Sequence, residues 1–273
     1  SRVAGKAEAL GMTVLLNDPP LRRETGDDKI LLDLVMFRAD ILTLHVPLTY
    51  EGIDATYHLV DGAFLSKLRP NCILMNTSRG PVVDSHALAA GIDSGKIAGA
   101  VLDVWENEPN IDIRLLDKVD LATSHIAGYS LDGKAKATAM MYRAACEFLA
   151  VETKWDVKSA LPKPYCERIE LGGHGQWDVT EPTSFTIAGK NDRDIIADTV
   201  RQVYDIEKDD AALRELHRLD PGDRGAFFDR LRKEYPVRRE FHNTEVVLPR
   251  RRRGRRFAEA LAGLGFRVSG GGF

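Results

Sequence analysis

Along the first 125 residues, short continuous apolar runs alternate with stretches whose apolar positions recur every three or four residues. The runs ILTLHV at 41–46, CILMN at 72–76, AGAVLDV at 98–104 and DLATSH at 120–125 have the length of strands, and MTVLLND at 12–18 reads as a buried strand as well. Between them LLDLVMF, DGAFLSKL, DSHALAAGI and IRLLDKV read as helices. The chain also opens on a helix: Val3, Ala4, Ala7 and Leu10 share one face, and Gly11 stands where a helix end takes a left-handed residue. Short strands joined by helices, with no hairpin turn between them, predict parallel strands buried on both faces. The expected fold class is α/β, a doubly wound parallel sheet.

Past Ser130, an N-cap candidate, the positions Ala137, Met140, Met141, Ala144, Ala145, Phe148 and Leu149 recur at helical spacing and predict a buried stripe, part of which is expected to be exposed in this chain. From about residue 151 the texture changes. TKWDVKSALPKPYCERIELGGHGQWDVTEPTS is rich in Pro, Gly and turn residues and reads as a connecting segment. DIIADTVRQVYDI then reads as an amphipathic helix, NTEVVLP as a strand, FAEALAGLG as a helix with a glycine stop and FRVS as a last short strand. These make a small α+β C-terminal module. The expected boundaries are 1–126 for the sheet domain, 127–160 for a helix and connecting segment, and 161–273 for the module.

Composition narrows the class. The chain has 273 residues, 44% of them hydrophobic, enough to bury a core, and its 38 Lys and Arg against 41 Asp and Glu create no global field for nucleic acid or an anionic membrane. No run approaches the ~18 apolar residues of a membrane span. Cys72, Cys146 and Cys166 are odd in number and lack metal-ligand spacing, so reduced cytosolic thiols are expected, with no disulfide frame and no metal site. The run PRRRRGRR at 249–256 has no aromatic interleaving and reads as a solvated loop. His174 and His242 sit in polar surroundings and read as surface residues.

The candidate chemistry lies at strand ends, where parallel sheets bind their ligands. CILMN leads into Arg79, AGAVLDV presents Asp103 and then Glu108, and DLATSH ends on His125. An arginine, an acid and a histidine at one sheet edge can bind a carboxylate, orient an imidazole and move a proton. Each residue also has a plainer reading, as loop cation, solvated acid or structural strand end. Asp18, before Pro19 and Pro20, is either a turn residue or the acid that a dinucleotide-binding fold places on the ribose. The alternation begins without the glycine-rich loop and central strand that open such folds, so the sheet is expected to lack its first strand.

NTSRGPVVD, LDVWENEP and SHIAGYS resemble, in order and spacing, the three catalytic motifs of the D-isomer-specific 2-hydroxyacid dehydrogenases, whose nucleotide domain is Rossmann-type. RADILTLHVPLT and SHIAGYSLDGKAKAT add to the likeness, while RQVYDIEKDDAALRE, FDRLRKEYPVRREF and LAGLGFRVS resemble a C-terminal dimerisation domain that most relatives lack. The resemblance implies NAD as cofactor, a phosphorylated 2-hydroxy acid as substrate and a cytoplasmic homodimer, with no nucleic-acid or membrane partner. It implies His125 as general base, Glu108 as the acid that fixes its tautomer, and Arg79 as the grip on the substrate carboxylate. Asp18, Thr77, Asp103 and Gly128 would bind the cofactor and Tyr129 the substrate. Ser1 would follow the last glycine of the pyrophosphate loop, so the chain is expected to be an inactive fragment.

Val46 departs from the pattern, standing where close relatives often carry threonine near the cofactor. Two other classes stay open at this point. One is a different 2-hydroxyacid dehydrogenase, of phosphoglycerate or glyoxylate type, and the other a non-enzymatic NAD-sensing dimeric scaffold.

Overall fold

The structure is a computed structural model and describes residues 2–27, 32–172, 184–185, 189–249 and 255–270. In chain order its elements are α1 (Arg2–Ala9), α2 (Pro19–Thr25), α3 (Leu32–Arg38), β1 (Ile41–Leu44), α4 (Gly62–Lys67), β2 (Cys72–Asn76), α5 (Ser85–Asp93), β3 (Ile97–Leu102), α6 (Ile113–Leu116) and β4 (Leu121–Ala122). There follow α7 (Leu131–Phe148), β5 (Arg168–Leu171), β6 (Ser184–Phe185), α8 (Asp192–Val203), α9 (Ile206–Arg214), α10 (Arg224–Lys233), β7 (Glu245–Leu248), α11 (Arg255–Leu264) and β8 (Arg267–Gly270). Compactness groups the chain differently from the expected boundaries. One unit gathers Leu15–Ala127 and Glu207–Tyr235, the other Ser1–Val14, Gly128–Ile206 and Pro236–Phe273.

The first of these units holds a four-stranded sheet in the order β1-β2-β3-β4, every pairing parallel, as the alternation predicts. Aspartates start its helices where the sequence changes period: Asp61 caps α4, Asp84 caps α5 and Asp112 caps α6 through their carboxylates. Leu74, Leu88, Ala100, Leu116 and Ala122 are fully buried between sheet and helices. Burial on both faces is not realised at the open side of the sheet. β1 and β2 bury Leu42, Leu44, Cys72 and Leu74, but Ile41 and Ile73 remain 41% and 36% exposed. In a run where every position is apolar, the sequence does not reveal which face is covered.

MTVLLND is the second departure, for it forms no strand, and Met12 and Leu16 are exposed. A strand is stabilised by its ladder partners, and this segment pairs with none among the described residues. Residues 207–235 add the helices α9 and α10 to the same unit. Leu213, Leu216 and Phe228 are fully buried in its core, and Arg214 donates to the carbonyls of Leu116 and Val119 at 2.8 and 2.9 Å. Asp210 accepts the Ala122 N–H at 2.7 Å, which fixes the end of the short strand β4.

The other unit is built on a second parallel sheet, in the order β6-β5-β7-β8. The expected small module of helices and strands is present, and its strands run parallel throughout. β5 lies inside the stretch expected to be a connection. RIEL offers only alternate apolar positions between turn residues, yet Ile169 and Leu171 are buried beside Val246 and Leu261. α1 packs on α11, where a Cβ on Gly263 would lie 2.3 Å from the Cβ of Ala9. The basic residues 250–254 and His174 lie outside the described residues, while His242 is exposed as expected.

On α7 part of the predicted stripe is exposed, as expected. Met140, Met141, Phe148 and Leu149 are 60–89% exposed, and Ala135, Ala139 and Cys146 face inward instead. Ser130 does cap the helix, accepting the Gly133 N–H at 3.1 Å. All three cysteines are free and buried.

The start of α7 is tied to the 238–243 segment by Asp132. Its carboxylate takes two bonds from Arg239, at 2.9 and 3.0 Å, one from the Glu240 N–H at 2.8 Å and one from Asn243 at 3.1 Å. Burial pushes this carboxyl up, but the Arg239, Glu240 and Asn243 donors outweigh it and hold it at about 2. A folded-state value below the unfolded 3.8 stabilises the fold above that value, and the contribution vanishes as pH falls through about 2. In urea melts of the native chain and Asp132→Asn, we therefore expect the stability gap to narrow by about 2 kcal/mol as pH drops from about 4 to about 2. A gap that does not change with pH would contradict this account.

Candidate active site

Because β1 to β4 are parallel, the loops that leave their carboxyl ends gather at one edge. The loops after β1 and β2 line an open cleft of about 490 Å³ through His45, Val46, Pro47, Leu48, Thr77, Ser78 and Arg79. Asn76, the last residue of β2, is 1% exposed and shapes the second loop. Its side-chain oxygen accepts from the N–H and hydroxyl of Ser78 at 3.0 and 2.8 Å, and its amide donates to the Arg79 carbonyl at 3.0 Å. With the backbone so fixed, the exposed Arg79 side chain stands at the cleft, one guanidinium nitrogen on the Ser78 carbonyl at 2.6 Å. Val46 presents only hydrocarbon to the same cleft.

The loops after β3 and β4 hold the imidazole. His125 Nδ1 lies 2.7 Å from Glu108 Oε2, while the other oxygen of Glu108 accepts the Trp105 N–H at 2.8 Å. The imidazole Nε2 has no hydrogen-bond partner among the described residues. His125 itself has φ 58°, a left-handed conformation a histidine adopts only when its surroundings impose it. Asp103 imposes it. Its carbonyl accepts the His125 N–H at 2.6 Å, and its buried carboxylate accepts from Thr123 Oγ1 at 2.6 Å, Ile126 N at 2.7 Å and Ala127 N at 3.0 Å. The residue expected beside a cofactor is thus also the anchor of the turn that carries the histidine.

A second imidazole and carboxylate meet close by, and sequence reasoning missed both. His58 Nε2 is 2.7 Å from Glu106 Oε1, and Glu106 Oε2 accepts the Ser85 N–H at 2.8 Å. Burial pushes the Glu106 carboxyl up, but these hydrogen bonds outweigh it and hold it below the usual range. Glu106 was legible only as the other acid of WENEP, and nothing local in TYHLV links His58 to it. Trp105, also missed, is 3% exposed and donates its indole N–H to the Thr123 carbonyl at 2.9 Å.

The remaining expected site residues are placed as follows. Asp18 is exposed and caps α2, accepting the Leu21 N–H at 3.1 Å, so the turn-residue reading holds whatever else it binds. Gly128 and Tyr129 belong to the other compact unit, where the Lys134 ammonium sits 3.8 Å from the centroid of the Tyr129 ring. Among the described residues, no group of three or more His, Cys, Asp or Glu could hold a metal ion, and no helix is long and apolar enough to cross a membrane.

Residues 1–127 match the model of the D-isomer specific 2-hydroxyacid dehydrogenase NAD binding domain, and residues 178–265 match a domain of unknown function. The chain is 44% identical to an erythronate-4-phosphate dehydrogenase of Salinibacter ruber, over 90% of its own length and 61% of that protein. It is 41% identical to the erythronate-4-phosphate dehydrogenase of Proteus mirabilis, over 90% of its length and 60% of that protein. The chain therefore spans about three fifths of the curated relatives it matches. A crystal structure of a glyoxylate reductase from Paecilomyes thermophila aligns at TM-score 0.44 and 25% identity, covering 53% of this chain and 44% of that one.

Gly80 joins the two halves of the site. A Cβ there would lie 1.9 Å from the Trp105 carbonyl oxygen, so the Arg79 turn rests directly on the backbone of the loop that carries Glu108. Gly80→Ala should cost about 1–3 kcal/mol in a denaturant melt by forcing these loops apart. Gly62→Ala, at an open helical position, should cost nothing or stabilise slightly. Equal stabilities for the two variants would show that the loops have room to part.

Proposed function

We propose, from the match of residues 1–127 to the NAD binding domain of the D-isomer specific 2-hydroxyacid dehydrogenases, that the protein oxidises C2 of a phosphorylated 2-hydroxy acid, 4-phospho-D-erythronate. The product is 2-oxo-3-hydroxy-4-phosphobutanoate, and the reaction serves pyridoxal 5′-phosphate formation. One observation supports the reading: a histidine at the carboxyl edge of a parallel sheet, 2.7 Å from a carboxylate on one ring nitrogen and with no partner on the other among the described residues.

NAD suits this edge of the sheet. The cleft volume, about 490 Å³, is that of a site for part of a small ligand, and Thr77 lines it. Asp18, exposed at the head of α2, would take the ribose hydroxyls and repel a 2′-phosphate, while Asp103 would lie by the nicotinamide. By resemblance alone, Gly128 joins the cofactor set and Tyr129 the substrate set. When bound, NAD supplies the acceptor for the C2 hydride.

The chain's own residues do the rest. Arg79 pairs its guanidinium with the substrate carboxylate, fixing C2 and polarising its oxygen as the carbonyl forms. His125 Nε2 takes the C2 hydroxyl proton while the C2–H bond breaks, so the proton goes to the imidazole and the electron pair leaves with the hydride. Glu108 holds Nδ1 in its protonated tautomer and stabilises the imidazolium that results. Asp103 keeps the turn closed beneath the ring. The isolated 273-residue chain is proposed to be inactive, because MTVLLND has no ladder partner among the described residues and the sequence holds no pyrophosphate loop. The longer protein is proposed to be a cytoplasmic homodimer that binds neither nucleic acid nor membrane.

The test is NADH formation from 4-phospho-D-erythronate by the chain expressed with its upstream coding sequence, beside His125→Gln. We expect turnover in the first and a fall of roughly 10²–10⁴-fold in the second. Turnover only with 3-phosphoglycerate or glycolate would assign another 2-hydroxy acid. NADH binding without turnover of any of these would favour the scaffold reading.

A further inference from the structure

Both glutamates of the loop after β3 end on a histidine. Glu108 meets His125 at 2.7 Å and Glu106 meets His58 at 2.7 Å, with only Asn107 between them. Asn107 has φ 59°, a backbone reversal that sends its two neighbours apart. The loop has no regular structure of its own, and loops hold a geometry only where something ties them down. Its aim matters here, because a misplacement of about 1 Å can cost on the order of a hundredfold in rate.

Glu106 ties it to two places. One oxygen binds His58, in the segment after β1, and the other takes the N–H of Ser85, the first residue of α5. His58 in turn donates its backbone N–H to the Pro81 carbonyl at 2.8 Å, in the short turn that follows Arg79. Gly80 of that turn lies against the Trp105 carbonyl. A continuous path therefore runs from the Arg79 turn through His58 and Glu106 into the loop that bears Glu108.

His58 is not a second base. One ring nitrogen faces Glu106 at 2.7 Å and the other faces Asp84 at 3.9 Å, and Tyr57 covers the ring at 4.1 Å between centroids. Both nitrogens thus face carboxylates, whereas His125 Nε2 has no hydrogen-bond partner among the described residues.

We propose that His58 and Glu106 are positioning residues, a clamp that acts through the loop to hold Glu108 on His125 and keep that pair in register with Arg79. The clamp rests on the preceding functional reading only for the identity of the reaction. Its effect on the His125–Glu108 pair can be observed without turnover.

The experiment uses the chain with its upstream coding sequence and follows the deshielded imidazole N–H protons by proton NMR, His125→Gln identifying the resonance of the catalytic pair. In Glu106→Ala that resonance should be lost to exchange with water, although Glu106 does not touch His125, while the amide spectrum keeps its folded dispersion. The kcat should fall on the order of a hundredfold, with KM for NAD unchanged. On a Glu108→Gln background the same change should cost nothing further. His58→Ala should behave like Glu106→Ala, and His58→Gln, which keeps an N–H donor near the same place, should restore most of the rate. If Glu106→Ala does not fold, His58→Ala, at a 30% exposed side chain, carries the same comparison.

An unchanged resonance, or a loss fully additive with Glu108→Gln, would overturn the clamp and leave the functional reading intact. Wild-type turnover in His125→Gln would overturn the functional reading, while the resonance would still decide the clamp.

Discussion

The candidate site depends on the carboxylate of Asp103. It stands where β3 ends, 4% exposed, and gathers donors from Thr123, Ile126 and Ala127 around its two oxygens. A buried carboxylate is costly unless hydrogen bonds replace its water, and here the replacement comes from the segment after the neighbouring strand β4. Satisfying Asp103 therefore closes the turn on which His125 rides. Folding the core and aiming the imidazole are one event.

The surrounding loops solve the same problem with less burial. His58, Asn107 and His125 all adopt left-handed backbone, with φ between 49° and 59°, each inside a loop at the carboxyl edge. Such conformations cost of order 1–3 kcal/mol and persist only where neighbours impose them. Here the neighbours are backbone donors, the two glutamates and the close contact of Gly80 with Trp105. The result is a tied frame of loops at which the Arg79 side chain stands exposed, its backbone carbonyl held by Asn76.

The two units draw on distant parts of the chain. Residues 207–235 complete the core of the sheet that carries the candidate site, through Leu213, Leu216 and Phe228, and Asp210 and Arg214 secure the end of β4 and the segment before it. Residues 1–14 belong instead with the second sheet, where α1 rests on α11. The short strand β4, two residues long, has few ladder bonds of its own and is correspondingly dependent on these side chains.

Periodicity and composition determined the parallel α/β architecture, the positions of β1 to β4 and the helices between them, and the candidate set at the strand ends. The reason is that strand length, helical spacing and aspartate caps are local properties of the chain. Glu108 and His125 were legible for the same reason, since a parallel sheet fixes where its strand ends must meet. Tertiary structure alone decided the rest. Among the described residues MTVLLND has a strand's composition but no ladder partner, Met140, Met141 and Phe148 have helical spacing but stay exposed, and RIEL becomes a central strand because β6 and β7 pair with it. His58 and Glu106, far apart in sequence, meet only once the sheet has brought their loops to one edge, because a hydrogen bond is set by distance in space and leaves no period in the sequence.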